Sequence, residues 1–519
     1  MADSQADNLS YDQVAYVSYP YAFTQPDRLG ALGSLLGMRP APGDRCRVLE
    51  IGGASGGNLI ALAERFPGSE FLGIDLSIRQ TAEGRRVIEQ LGLKNIRLEV
   101  GDILEIGPEL GQFDYIVAHG VYSWVPPQVA ERLLSVCAAR LTPQGIAYIS
   151  YNVYPGWHFR AVVRDLLLYQ SRQIADPVEK VRQGRKALDF LARFAPGGDS
   201  GYRTWIRNEE ARLRNWEPSQ ILHDEMEVNN HPCYFHEFVD RAGRAGLKYL
   251  CDAQWFAIRT DKLAPEVAGP YRELAPTALE VEQYSDFLQN ARFRRSMLCR
   301  PEVELSPAPL MPPALGLYVS SRAKPKEAVD PRPSAPVIFA GTNGAVTTDV
   351  VAKAMFLGLA EIWPGTVQLR ELIRTARARI GPAMPPLDDE QCAAEFLHAL
   401  PSAEIELWMH PPVFTTGISR RPLVSPFARL QAQSTAAVTS RRHETVRLDE
   451  LTRQVAMRLD GSRDGPMLRD EMSELIASGS VIISGLAAAQ MDRSRVHEVL
   501  QGAIEQSLSN LAKHALLIA

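Results

Sequence analysis

Three acids in the first hundred or so residues carry the chemistry. Glu50 stands two residues before Gly52 in "VLEIGGASGGN" (48–58), Asp75 closes "EFLGID" (70–75), and Asp102 follows a glycine in "GDI" (101–103). A glycine-rich turn between a strand and a helix lets a ligand approach the backbone and leaves N–H groups free at the helix N-terminus. Two ligands compete for it. As a dinucleotide fingerprint the run is Gly52-x-Ala54-x-x-Gly57, with Asp75 some 75 − 52 = 23 residues on. As an S-adenosylmethionine site it is Glu50-x-Gly52-x-Ala54-x-Gly56. Glu50 suits a cationic amino-acid tail and repels a pyrophosphate. Asp102 can accept from an adenine amino group while Ile103 covers the ring, and no basic residue in the loop meets a phosphate. Asp75 serves the two ribose hydroxyls under either reading. A tight turn without a ligand would leave three coordinated acids with no task.

The elements that must hold these acids read as alternating strands and helices. Strand patterns fall at 46–53, 70–77, 95–100, 113–120 and 145–152, and helical patterns at 58–66, 78–91, 127–140 and 157–174, with Ser77 placed to cap the second of these. That alternation predicts a doubly wound parallel α/β sheet, which binds ligands at the carboxyl ends of its strands. Residues 157–222 read as a helical insertion. Residues 233–258 read as helix, Gly246 stop and strand, returning to the sheet, and 263–300 as helical again. Nine prolines between 301 and 336 exclude helix and central sheet, which puts a boundary there. The expected division is 1–262 for the sheet domain, 263–336 for a helical segment and linker, 337–408 for a helical domain of winged-helix type, and 409–519 for a mostly helical C-terminal domain, with an apolar hairpin-like piece near 404–424.

Composition narrows the function. The chain has 519 residues, 45% apolar and 23% charged, which is globular and excludes a disordered or collagenous protein. A net charge of −5 gives no electrostatic footprint for nucleic acid. Six scattered cysteines without a CxxC pair read as reduced thiols, and no apolar run or leader pattern is long enough for a membrane span or secretory signal, so a cytoplasmic location is expected.

Residues 45–152 resemble a class I S-adenosylmethionine-dependent methyltransferase. More narrowly, the chain resembles the bacterial group that carries a methyltransferase regulatory domain. The resemblance rests on "YDQVAYVSYPYAFTQPDRL" (11–29), "VLEIGGASGGNL" (48–59), "FLGIDLS" (71–77), "FDYIVAHGVYSWVP" (113–126), "YISYNVYPGW" (148–157), "HPCYFHEFVDRAGRAGLKYL" (231–250), "QYSDFLQNARFRRSMLC" (283–299) and "LDGSRD" (459–464). That group includes rickettsial enzymes that methylate lysines of outer-membrane proteins. The resemblance implies a Rossmann-like class I methyltransferase sheet and S-adenosyl-L-methionine as cofactor. It implies cofactor contacts at Glu50, Gly52, Ala54, Gly56, Asn58, Asp75, Leu76, Asp102, Ile103 and His119. The N-terminal segment then resembles a lid, with Tyr11, Tyr16 and Tyr19 as enclosing rings. Ala54 stands where such enzymes more often carry glycine, and its methyl is tolerated there if its φ is negative.

Methyl transfer from a sulfonium consumes charge, so alignment of the acceptor and exclusion of water matter more than an oxyanion hole. The loops after the fourth and fifth strands supply Tyr122, Trp124, Tyr154 and Trp157 as walls of an amine channel. Asn152 and His119, with Tyr154 and Trp157, are the candidates for handling the amine. The expected acceptor is a lysine of a protein. A small molecule, and a cofactor-binding protein without chemistry, are the alternatives, and a homodimer is left open. Residues 460–471 fit a calcium-loop pattern formally, but Pro466 follows its glycine and no second loop pairs with it, so a connection between helices is expected there. His231, Cys233 and His236 have no fourth ligand nearby, so no metal is expected. The basic runs 292–296 and 440–444 read as solvated faces.

Overall fold

In a computed structural model of the chain, residues 14, 18–196, 201–254, 265–333, 335–341, 345–398, 405–478 and 493–519 are described. Tyr11 and Tyr16 lie outside them. Helix α1 (Pro26–Leu35) leads into β1 (Arg47–Ile51), α2 (Gly57–Arg65), β2 (Glu70–Asp75), α3 (Ile78–Leu91), β3 (Ile96–Val100), β4 (Phe113–Ala118), α4 (Pro127–Arg140) and β5 (Leu141–Asn152). The apolar strand runs are short and flanked by turns, and Ser77 caps α3 by accepting the Gln80 N–H at 3.1 Å. Four helices then leave the sheet: α5 (Gly156–Ser171), α6 (Pro177–Phe194), α7 (Gly201–Arg214) and α8 (Pro218–Glu225). They bury a small core of their own around Val163, Leu188, Ile206 and Ile221. The chain returns through α9 (Phe235–Arg244), β6 (Lys248–Asp252), α10 (Pro265–Leu274), α11 (Ala278–Gln289) and β7 (Phe293–Cys299).

The seven strands lie in the order β3-β2-β1-β4-β5-β7-β6. β1 to β5 are parallel, with Glu50 opposite Gly73 of β2 and Val117 of β4. β7 is antiparallel to both neighbours, with Met297 opposite Tyr148. This corrects the helical reading of 263–300 at its end, and it corrects the solvated reading of 292–296. Arg294 lies within β7 and is 1% exposed. Its guanidinium pairs with Glu282 at 2.7 Å and Asp286 at 2.9 Å, and sits 4.2 Å from the Phe235 ring centroid. A buried cation with two carboxylates keeps a strand polar on paper and dry in the fold.

Beyond the sheet come α12 (Met311–Ala314), β8 (Tyr318–Ser320), β9 (Lys324–Pro325), β10 (Val337–Ala340), β11 (Ala345–Thr347), α13 (Val350–Ile362), β12 (Val367–Gln368), α14 (Leu369–Ile380), α15 (Asp389–Leu397) and β13 (Glu406–Trp408). The chain ends with α16 (Pro426–Ser434), the hairpin β14 (Ala437–Thr439) and β15 (Thr445–Arg447), α17 (Glu450–Arg458), α18 (Gly465–Ala477) and α19 (Arg493–Lys513). In the 460–471 segment, Asp464 caps α18 through the Met467 N–H, and Asp460 accepts from Ser462 and pairs with Arg463. One face of the sheet is covered by α4 and α9, with Leu49, Ile116, Leu134 and Phe238 in its core. The core of the other face runs from Val48 and Tyr148 through Leu315 and Val319 to Phe339, Phe356 and Phe427 without a break. The proline-rich stretch therefore divides the sequence but not the core. All six cysteines are buried and unpaired, and among the described residues no helix is long and apolar enough to cross a membrane.

Candidate active site

The turn after β1 brings the first cofactor residues together. Gly52 and Gly56 have φ of 74° and 75°. A Cβ on Gly52 would stand 2.4 Å from Val121 Cγ2, and one on Gly56 would stand 2.8 Å from Leu98 Cδ1. Both positions need glycine for space and for backbone angle. Ala54 has a φ of 50°, so the condition of a negative φ is not met. The reason is a hydrogen bond: its N–H donates to Asp75 Oδ2 at 2.7 Å and holds the turn in the left-handed region. For a residue with a Cβ, that region costs about 1–2 kcal/mol. The other Asp75 oxygen accepts the Ser77 N–H at 2.8 Å. These contacts fix the carboxylate at the end of β2.

Glu50 is 3% exposed. Its Oε1 accepts from Asn58 Nδ2 at 2.8 Å, and its Oε2 is buried with no hydrogen-bond partner among the described residues. Burial pushes its carboxyl up to about 7, against the Asn58 hydrogen bond and with help from the Asp75 charge. A buried carboxylate oxygen with nothing on it is costly unless a donor or cation arrives. The residues thus fit the ammonium of an S-adenosyl amino acid. Asp102, half-buried past the end of β3, accepts the Leu104 N–H at 2.9 Å and starts a short turn carrying Ile103. Leu76, one residue past the end of β2, is 51% exposed. Glu50, Asp75 and Asp102 therefore stand at the carboxyl ends of three adjacent parallel strands.

The N-terminal segment crosses this site. Ser18 Oγ accepts the Gly57 N–H at 2.8 Å, and Tyr21 N–H donates to Asn58 Oδ1 at 2.9 Å. The Tyr21 ring lies 3.9 Å from the His119 ring. His119 Nδ1 is 2.9 Å from the Tyr148 hydroxyl, and burial, then the Arg295 charge, push its imidazole down to about 3. His119 is uncharged near neutrality. A base that weak is a poor match for an ammonium proton. Sequence reasoning missed Tyr21, Tyr148 and Phe293 around it. The run of tyrosines before position 21 was the available signal for the first.

The acceptor-side residues separate into two groups. Trp124 and Tyr154 are half-buried at the rim, and Tyr154 stacks on His158 at 3.9 Å and faces Tyr234 at 5.3 Å. Tyr122, expected as a wall, is 2% exposed and packs into the core against Tyr151 and Phe238. Its place one turn into the loop points it inward. Trp157 is 1% exposed, edge-on to Trp124 at 6.0 Å, with the Arg160 guanidinium 4.6 Å from its ring. It supports Trp124 from beneath. Asn152 is 3% exposed and donates to Asn230 Oδ1 at 2.9 Å, which ties β5 to the loop before α9.

A sheet with one antiparallel strand between β5 and β6, a glycine turn, and acids at three successive strand ends define a class I S-adenosylmethionine-dependent methyltransferase. Comparison with known proteins gives the family. Models described as "Methyltransferase domain", "Predicted methyltransferase regulatory domain" and "PKMT, C-terminal winged helix domain" match residues 48–145, 217–300 and 420–516. An uncharacterized protein of Rickettsia prowazekii (strain Madrid E) is 36% identical over 301 residues, 58% of this chain and 54% of that protein. A second from the same strain is 35% identical over 246 residues, 47% of this chain and 98% of that protein. The chain spans about half the length of the first of these relatives. PKMT2 from Rickettsia typhi in complex with AdoHcy is 25% identical, with a TM-score of 0.85 over 97% of this chain and 100% of that one. The chain belongs to this family of methyltransferases with a regulatory domain and a PKMT-type winged helix. The winged-helix match falls on residues 420–516, within the expected C-terminal domain.

Proposed function

We propose that this protein methylates lysine side chains of a protein substrate. The observation that carries the reading is the likeness to PKMT2 along almost the whole chain, accessory half included, PKMT being read as protein lysine methyltransferase. Half-buried rings at the rim support it, since Trp124, Tyr154 and Tyr234 can enclose an alkyl ammonium by cation–π contact worth about 0.5–2 kcal/mol. S-adenosylmethionine supplies a sulfonium-activated methyl group. When it is bound, Glu50 would hold its ammonium, Asp75 its ribose hydroxyls and Asp102 its adenine amino group. Tyr21 and His119 close over the reacting end and exclude water. The acceptor ammonium loses its proton to water before transfer, because neither His119 nor the phenol of Tyr148, held protonated by burial, is matched to take it.

The test is incubation with methyl-labelled S-adenosylmethionine and a bacterial outer-membrane protein fraction, followed by hydrolysis. Label in mono-, di- or trimethyllysine is expected. Label found only in small molecules would overturn the acceptor assignment.

A further inference from the structure

The Ser440–Glu444 run forms the tip of the β14–β15 hairpin, and it is not solvated as its charges imply. Arg442 and His443 are 1% and 3% exposed. The tip is held against α2 by Arg441 to Glu64 at 3.2 Å, against the start of α1 by Gln25 Nε2 to the Arg442 carbonyl at 3.2 Å, and against β13 by the Arg442–Glu406 ion pair. His443 has a φ of 64° and closes the turn through its N–H to the Ser440 carbonyl. This conformation turns its ring into the methyltransferase domain, where Nε2 lies 2.7 Å from Asn58 Oδ1.

The direction of that bond follows from its neighbours. Asn58 Nδ2 faces Glu50 Oε1 at 2.8 Å, and the Tyr21 backbone N–H donates to Asn58 Oδ1 at 2.9 Å. Only one orientation of the amide satisfies both, so Oδ1 accepts and His443 Nε2 donates. A continuous line of hydrogen bonds therefore runs from the winged-helix hairpin through Asn58 to the carboxylate whose second oxygen has no partner among the described residues.

We propose that His443 is a positioning residue for the cofactor: by fixing the Asn58 amide it aims Glu50 Oε2 at the cofactor ammonium, so the C-terminal domain sets cofactor affinity. The proposal rests on the assignment of Glu50 to that ammonium. It places no constraint on the methyl acceptor. His443 touches no reacting atom, so its loss acts on binding and not on the chemical step.

The experiment is a calorimetric titration of the full chain with S-adenosylhomocysteine, together with kcat at saturating S-adenosylmethionine. His443→Ala is expected to weaken binding by about tenfold, the scale of one lost hydrogen bond to a buried group, with kcat nearly unchanged. His443→Gln, which can place an N–H near the same point, is expected to restore most of the affinity. His443→Ala is expected to add nothing in an Asn58→Ala background, as two groups on one line must. Arg441→Ala, which loosens the same interface away from the line, is expected to leave affinity unchanged. Wild-type affinity in a folded His443→Ala protein, additive losses in the double variant, no rescue by Gln, or an equal loss in Arg441→Ala would each overturn the proposal. A wild-type protein that does not bind S-adenosylhomocysteine would instead remove the Glu50 assignment beneath it.

Discussion

Glu50 is the residue on which pH acts most directly. Its folded value near 7 stands above the ordinary 4.5, and burial is the main cause. A group raised in this way favours the folded state below its unfolded value, and that contribution is lost as pH rises through about 7. Ligand binding runs the other way, because the ammonium needs the carboxylate. Affinity for S-adenosylhomocysteine is expected to rise roughly tenfold between pH 6 and 8, with a proton released on binding at the lower pH. Calorimetry in two buffers of different ionisation enthalpy measures both quantities. Glu50→Gln is expected to bind weakly and without this pH dependence. At this scale the acids were legible because their spacing follows the strand period of the fold. His443 was not, since 385 residues separate it from Asn58 and no local pattern marks the pairing.

Among the elements, β7 was hidden by its own charges. Phe293-Arg-Arg-Ser-Met-Leu-Cys reads as a basic surface run, yet Arg294 faces Glu282 and Asp286 in a dry space. Replacing Arg294 by Met keeps the stem over Phe235 and leaves two buried carboxylates without their cation. The loss is expected to be about 3–5 kcal/mol, seen as a fall in thermal midpoint of the purified protein. An unchanged midpoint would mean that the carboxylates find protons or water at no penalty. The parallel strands were legible for the opposite reason. Apart from the edge strand β3, they are largely buried on both faces and read as apolar runs bounded by glycine and charge. The winged-helix segment carries little periodic signal, because α16 and α17 have 9 residues each and its two strands 3 each.

For the whole molecule, the sheet and the accessory half share one apolar interior. Met409 Sδ would lie 2.3 Å from a Cβ on Gly30, which shows how closely the segment after β13 presses on α1. A fragment ending at residue 300 would expose the face now covered by Leu315, Val319 and the residues beyond. It is expected to elute as aggregate in size-exclusion chromatography, where the full chain elutes as a discrete species. The proline-rich stretch marks a boundary in composition, and composition cannot report that two neighbouring segments fold onto each other. This shared interior also bears on ancestry. Recombination between relatives at the prolines would join a sheet to a cover shaped for another sheet, so the two halves have to vary in step and be inherited together, and exchange of modules is confined to the insertion, whose core is its own.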